Sequence, residues 1–258
     1  MSGENVDRKF ANTLARGLAV LRVFRASDSG LTHAQIAERT GLPKPTVSRL
    51  TYTLCELGYL SHGGRNDRFR LGPSAIALGS VASVAVNFLD LASDAMQQLA
   101  DDTGTLTLVA VRDDAKMMLV RTWRPRNAST IWLEPGHRIP VFGSSSGMAV
   151  VASLSEERFE QLTPEPDMRR FRAEGYTQLI GQGFAYALEG TRYASTINAV
   201  SVPYFAEEFG EPVAFTAGAM PNDLSDMRIQ NEVGPALREV VRGLENRTGR
   251  TPALSRRD

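Results

Sequence analysis

Residues 31–60 read L-T-H-A-Q-I-A-E-R-T-G-L-P-K-P-T-V-S-R-L-T-Y-T-L-C-E-L-G-Y-L, and they predict two short helices joined by a tight turn. Thr32 is placed to cap the first helix, with Gln35 three residues on completing a capping box. Ile36 and Ala37 give that helix an apolar face. Gly41 ends it, because the residue past a helix C-terminus often needs the left-handed conformation that glycine reaches cheaply. Leu42-Pro43 makes the turn. The second helix starts near Lys44, with Pro45 in the first turn, where its missing N–H has no intrahelical partner. Val47, Leu50, Leu54 and Leu57 recur at helical spacing, and Gly58 closes the helix.

The opposite face carries the functional information. At about 100° per residue, Pro45, Ser48, Arg49 and Tyr52 point away from the core side, with Lys44 and Thr46 in the exposed first turn. Short hydroxyls and cationic donors are what a major-groove reading helix requires. An ordinary helical hairpin with a solvated polar face fits this segment equally well, so the flanking sequence has to decide.

Before the hairpin, Leu14, Leu18, Leu21 and Phe24 mark an amphipathic helix running toward Asp28-Ser29-Gly30. After it, Tyr59-Leu60-Ser61 predicts a strand, Gly63–Asp67 a turn, and Arg68-Phe69-Arg70-Leu71-Gly72 a return strand. Three helices and a two-stranded ribbon make a winged helix-turn-helix. Its wing presents Arg65, Arg68 and Arg70 to a phosphate backbone or the minor groove, and His33, on the first turn of the hairpin, is expected near phosphates.

Charge agrees. The 258-residue chain has a formal net charge of zero. Residues 1–72 hold eleven Lys/Arg against six Asp/Glu, a net +5, which leaves −5 for the remainder. A basic head on an acidic body implies that the head meets a polyanion.

Pro73 begins a second composition. Residues 74–86 are small, apolar and uncharged. The segment through Ala100 then continues as an amphipathic helix with Ala92, Ala95, Met96 and Leu99 inward. So apolar a helix needs a cover, either the body of its own chain or, as we expect, the same segment of a second subunit. Beyond Gly104 strands alternate with helices. Strands are expected at Thr105–Val111, Met117–Thr122, Ala128–Leu133, Thr196–Pro203 and Val213–Met220. Helices are expected at Gly147–Ala152, Glu156–Leu162 and Met168–Ile180, with a last one built on Val233, Leu237, Val240, Val241 and Leu244. This is an α+β domain. Residues 251–258 read as a frayed tail.

Other chemistries fall away. Gly143-Ser144-Ser145-Ser146-Gly147 satisfies G-x-S-x-G, but a nucleophile elbow needs a histidine after its serine, and the last one here is His137. There is thus no catalytic set. His33, His62, His137 and the lone Cys55 lack metal-ligand spacing, and there is no phosphate loop or dinucleotide fingerprint, so no metal or cofactor is expected. Cys55 reads as a packed, inert thiol. No apolar run spans a membrane and the N-terminus lacks the apolar core of a leader, so a cytoplasmic protein is expected. The small residues at 143–147 leave free N–H groups where a helix begins, suited to a carbonyl or an anionic group, or simply to a loop–helix junction.

In this order the features resemble the IclR family of bacterial transcription regulators. The likeness rests on L-A-R-G-L-A-V-L at residues 14–21, the helix-turn-helix at 31–50, G-Y-L at 58–60, R-F-R-L-G-P at 68–73 and G-H-R-I-P-V-F-G-S-S-S-G-M-A at 136–149. It implies a homodimer or dimer of dimers on a palindromic double-stranded operator. It also implies a C-terminal GAF-like domain that binds a small effector beneath the serine-glycine loop. The implied layout is a DNA-binding domain over 1–73, a linker or oligomerisation helix over 74–88, an effector domain over 89–250 and a tail over 251–258.

The resemblance also places the effector site at Phe142, Ser144, Ser145, Gly147, Met148, Leu188, Ile197, Phe215, Ala217 and Ala219. Leu188, Ile197, Ala217 and Ala219 stand where the family holds small acids with an acidic residue, a cysteine and two serines, and Met148 replaces a lysine. An apolar or aromatic effector is therefore expected. DNA contacts are expected from Thr32, His33, Lys44, Pro45, Thr46, Ser48, Arg49, Tyr52, Arg65, Arg68 and Arg70. The rival readings are a winged helix used for protein–protein contact and a regulator without a ligand.

Overall fold

The computed structural model describes residues 10–63 and 68–256 and divides the chain between Ala85 and Val86. The N-terminal unit holds α1 (Asn12–Arg22), α2 (His33–Thr40), α3 (Lys44–Glu56), β1 (Leu60–Gly63), β2 (Arg68–Leu71) and α4 (Pro73–Val84). Its core is Val20, Leu31, Ile36, Val47, Leu54, Leu60 and Phe69. Each such buried side chain contributes roughly 1.5–3 kcal/mol. β1 and β2 pair antiparallel from Leu60 opposite Leu71 to Gly63 opposite Arg68. Leu31 and Phe69 exchange two backbone hydrogen bonds, of 2.9 and 2.7 Å, so the residue before α2 acts as a third strand of the wing.

Two details of the head differ from expectation. α1 ends at Arg22, before Phe24, because the chain turns there into a loop closed by Asp28 and Arg39. Leu57, assigned to the apolar stripe of α3, is exposed, and Thr51 takes a core position instead.

The C-terminal unit begins with α5 (Asn87–Thr103) and is built on a five-stranded antiparallel sheet. Its strands are β3 (Leu106–Asp113), β4 (Lys116–Trp123), β5 (Arg138–Pro140), β6 (Asn198–Ala206) and β7 (Glu211–Ala219), in the order β5-β4-β3-β7-β6. Helices α6 (Ser145–Ser153), α7 (Glu156–Glu160), α8 (Pro166–Gln182), α9 (Asp226–Arg228) and α10 (Gly234–Thr248) complete it, with a π-helical turn at Ile229–Val233 leading into α10.

The sheet has two faces, set by strand alternation. Val109, Val200, Tyr204, Phe215, Ala217 and Ala219 pack with Phe88, Met96, Leu237 and Val241 of α5 and α10. Leu108, Ala110, Met117, Leu119 and Ala214 pack with Met148, Val151, Phe171 and Leu179 of α6 and α8.

Residues 128–133, expected as a strand, form no strand; a short edge strand lies instead at Arg138–Pro140. The expected 74–88 helix is α4, which stops at Val84, and a separate helix starts at Asn87. The expected frayed tail is docked through residue 254: Ala253 is buried, Leu254 packs on the α6–α8 core, and Arg250 pairs with Glu207 and Glu208. The docked segment walls a groove against α10 that contains Glu245, whose carboxyl burial pushes up to about 7. Among the described residues no single helix is long and apolar enough to cross a membrane.

Candidate nucleic-acid interface and ligand cavity

The head places α3 on a braced scaffold. Thr32 and Gln35 form the expected capping box: Thr32 Oγ1 accepts from the Gln35 N–H at 3.3 Å, and Gln35 Oε1 accepts from the Thr32 N–H at 3.0 Å. Gly41, at φ 69°, donates its N–H to the Ala37 carbonyl and turns the chain into α3. Val47, Thr51 and Leu54 are the buried side of α3. Lys44, Pro45, Ser48, Arg49 and Tyr52 are exposed, Tyr52 by 68%, and Thr46 is half-buried. Among the described residues neither Lys44 nor Arg49 has an ion pair, so both cations are free to meet a polyanion.

His33, expected near phosphates, also makes two contacts within the head. Its Nε2 lies 3.0 Å from Oγ1 of buried Thr51, and its ring meets Phe69 edge-on at 4.6 Å. It clamps α2 to α3 and the wing, a scaffold role. Thr32 likewise spends its hydroxyl on the cap. The wing arginines are also partly committed: Arg68 donates to the Gly30 carbonyl at 2.8 Å, and Arg70 Nε to the Ser29 carbonyl at 3.2 Å. They fasten the wing to the loop before α2. Arg65 lies outside the described residues.

Sequence reading missed a second brace. Arg39 holds Asp28 through two hydrogen bonds, 2.6 and 2.9 Å, and also donates to the Val23 carbonyl. The Arg39 hydrogen bond keeps the Asp28 carboxyl below its usual range. Cys55 is half-buried, and burial raises its thiol, as an inert cysteine requires.

α4 buries none of its residues; Val81 and Val84 are 72% and 84% exposed, and Leu14 and Leu18 of α1 are exposed too. An apolar helix face of this length ordinarily packs against something.

In the C-terminal unit a cavity of about 40 Å³ lies between the sheet and the start of α6. Leu108, Ile131, Leu133, Ile139, Ala187, Ile197 and Ala199 make its apolar walls, and Ser144, Ser145, Ser146, Arg192, Tyr193 and Thr216 its polar side. The serines hold the loop. Ser144 caps α6 by accepting from the Gly147 N–H at 3.0 Å. Ser145 Oγ donates to the Ala199 carbonyl at 2.6 Å and accepts from the Ala187 N–H at 3.2 Å. Ser146, Thr216 and Ser201 form a buried hydroxyl chain with links of 2.9 and 2.8 Å. A Cβ on Gly147 would lie 2.0 Å from the Val141 carbonyl oxygen, so only glycine fits there. The N–H groups of Ser145 and Ser146 open α6 with no intrahelical partner.

Several expected effector residues sit elsewhere. Ile197, Ser144 and Ser145 line the cavity. Phe215, Ala217 and Ala219 lie on the other face of the sheet, in the α5–α10 core; the cavity-facing residues of β7 are Thr216 and Gly218. A shift of one residue exchanges the faces of a strand, and every residue of β7 beyond Glu211 is buried, which removes the usual polarity cue. Met148 is fully buried against Gly175, Leu188 is exposed with Ala187 taking its place at the wall, and Phe142 lies in an outer cleft.

A winged helix-turn-helix with a free polar face, in one chain with an α+β domain that encloses a cavity, is the build of a DNA-binding transcriptional regulator. Residues 13–63 match the IclR helix-turn-helix domain, and residues 81–246 match the bacterial transcriptional regulator IclR C-terminal domain. The chain belongs to the IclR family. The HTH-type transcriptional regulator TsaQ1/TsaQ2 of Comamonas testosteroni is 25% identical over 94% of this chain and 91% of that protein. An IclR family transcriptional regulator from Brucella abortus, 29% identical, has the same fold with a TM-score of 0.71, over 95% of this chain and 96% of that one. An IclR homologue from Microbacterium hydrocarbonoxydans, solved with 4-hydroxybenzoate, is 23% identical with a TM-score of 0.68, over 90% of this chain and 95% of that one. The first two are transcriptional regulators.

Proposed function

We propose that the chain is a homo-oligomeric regulator that reads a palindromic operator through α3 and releases or tightens its hold when a small apolar or aromatic effector enters the cavity. The observation that carries the DNA reading is the exposed face of α3. Lys44, Pro45, Ser48, Arg49 and Tyr52 stand clear of solvent-excluding contacts, while His33, Thr51 and the capping box hold the helix beneath them. Arg49 supplies base or phosphate contact, and Lys44 phosphate contact. The uncovered face of α4 supports self-association, which brings two reading heads to one operator.

The effector reading rests on the cavity. Its walls are aliphatic, the Ser145 hydroxyl is spent on the backbone, and its polar side is the start of α6 with the paired hydroxyls of Ser146 and Thr216. Such a site suits a flat apolar body with one carbonyl, hydroxyl or carboxyl oxygen at the helix start. A two-carbon acid would lose hydration with little in return. Since about 40 Å³ holds little more than one water, a ligand must part the walls, which links occupancy to shape.

A thermal-shift panel tests this. Aromatic acids and phenols, 4-hydroxybenzoate first, are expected to raise the melting point, by roughly 2.7 kcal/mol of stabilisation at 100 times the dissociation constant. Stabilisation by pyruvate or glyoxylate with none from aromatics would overturn the effector class. A footprint over the flanking promoter tests the DNA reading.

A further inference from the structure

One wall of the inner cavity is held more loosely than the rest. Leu108 and Ile139 reach the cavity from paired strands, and the serine turn is fixed by its own hydrogen bonds. Ile131 and Leu133 reach it from residues 127–133, where the chain is neither helix nor strand. Both ends of that segment are tied. The Arg124 carbonyl accepts from Gln97 Nε2 at 2.8 Å, the Arg126 N–H donates to Asp101 Oδ1 at 2.7 Å, and the Gly136 N–H donates to the Leu119 carbonyl at 2.7 Å. Between those ties, no backbone group of residues 127–133 has a hydrogen bond to another described residue.

The side chains of the segment alternate. Ile131 and Leu133 line the cavity, and Trp132 between them is 66% exposed. The Arg124 guanidinium lies 3.6 Å over the centre of the Trp132 ring, whose Nε1–H donates to Glu134 Oε1 at 3.1 Å. The middle of the segment is thus clasped to its own base, by a surface contact that water weakens. Thr130 pulls the other way. Its Oγ1 is closed to solvent with no hydrogen-bond partner, a costly state that hydration would relieve once the segment lifts.

We propose that residues 127–135 are the door of the inner cavity, hinged at Arg126 and Gly136, with Ile131 and Leu133 as its inner face and the Arg124–Trp132 stack as its outer clasp. The proposal rests on the cavity being the effector site. Parting the sheet walls would break strand pairing, whereas this wall moves by giving up one surface stack and the packing of two aliphatic side chains. Gly136, at φ 85°, takes up the turn at the far hinge in a conformation that glycine reaches cheaply. The clasp favours the shut position and the stranded Thr130 hydroxyl favours the open one, so the two lie close in free energy. A cavity of about 40 Å³ has no room for a ring while the door is shut. A flat ligand enters by the door and then holds Ile131 and Leu133 outward, so occupancy shows on the surface as a displaced Trp132.

Access of a thiol reagent to the cavity tests the door without any effector. In the full chain with Cys55→Ser, Ser146→Cys puts a single thiol on the cavity wall, and Ala217→Cys puts one in the α5–α10 core on the other face of the sheet, as a control for general opening. N-ethylmaleimide, followed by mass spectrometry, is expected to label position 146 about tenfold faster than position 217, since local opening needs less free energy than unfolding. Trp132→Ala is expected to quicken labelling at 146 by about two- to fivefold, as loss of an exposed cation–aromatic contact implies. Thr130→Val is expected to slow it by about fivefold or more, because the shut door then strands no hydroxyl. Ala199→Cys, on the same wall, takes the place of Ser146→Cys should that protein fail to fold. Labelling at the wall no faster than at 217, or a wall rate left unchanged by either substitution, would overturn the door. With the expected labelling in hand, failure of every aromatic compound in the thermal-shift panel would overturn the effector reading alone.

Discussion

Replacing Arg49 by alanine separates reading from folding. The guanidinium is exposed and without an ion pair among the described residues, so its loss should leave the fold within about 0.5 kcal/mol of wild type. On DNA the same change should cost about 1–3 kcal/mol if Arg49 holds a base edge, a loss of roughly 5- to 160-fold, with relaxed preference at that position. If it touches phosphate alone, affinity should fall on all sequences alike and the salt slope should drop by about one. His33→Ala is the counterpart. It removes the 3.0 Å link to buried Thr51 and the ring contact with Phe69, so it should lower stability by about 1–2 kcal/mol and impair DNA binding only through the helix it supports. Fluorescence anisotropy at two salt concentrations, alongside thermal melts, measures both. An Arg49→Ala protein that binds its operator as tightly as wild type would refute the docking of α3.

If the uncovered face of α4 joins subunits as proposed, Val81→Glu or Val84→Glu should shift sedimentation toward a smaller species and weaken operator binding, because two linked half-sites would be lost. Glu245 is raised to about 7 from 4.5, so the folded state favours its protonated form. The stability this brings is fully present below about pH 4.5 and is lost as pH rises through about 7. Glu245→Gln should therefore melt progressively higher than wild type between those values, by about 1–2 kcal/mol at most for a half-exposed group, and a pH-independent difference would argue against it. Thr216→Val should cost about 1–3 kcal/mol by stranding the Ser146 and Ser201 hydroxyls and should alter effector affinity, whereas Ala217→Ser should disturb the α5–α10 core and leave effector selectivity unchanged, as thermal-shift curves would report.

The head was legible because its signals are local. The capping box at Thr32, the left-handed Gly41 and the early Pro45 each act within a few residues, and the charge imbalance sits beside them. Partners far apart in sequence were not legible. Nothing near Arg68 announces Gly30, and nothing near His33 announces Thr51, so the bonds by which that cation and that imidazole brace the fold were not legible.

In the second unit the four long strands were legible but their facing was not. β7 is buried on both sides, so alternation of polarity could not say whether Ala217 or Thr216 met the cavity. The edge strand at Arg138–Pro140 is too short to have a pattern of its own and exists through its pairing with β4. The docking of Ala253 likewise comes from the groove it meets and not from its own composition.

The chain of hydroxyls through Ser146, Thr216 and Ser201 has two equivalent directions. With protons running from Ser201 toward Ser146, the hydrogen on Ser146 is left over and the wall offers a donor. With the order reversed, Ser146 gives its hydrogen to Thr216 and shows only lone pairs. Rotating three O–H bonds converts one wall into the other with no heavy atom displaced. The polar corner of the cavity is therefore amphoteric in hydrogen bonding, able to greet a carbonyl as a donor and an amide N–H or phenol as an acceptor. Selection among flat ligands then falls to the shape set by Leu108, Ile131 and Ile197, and chemical variants that swap one oxygen function for another on the same ring should be told apart poorly.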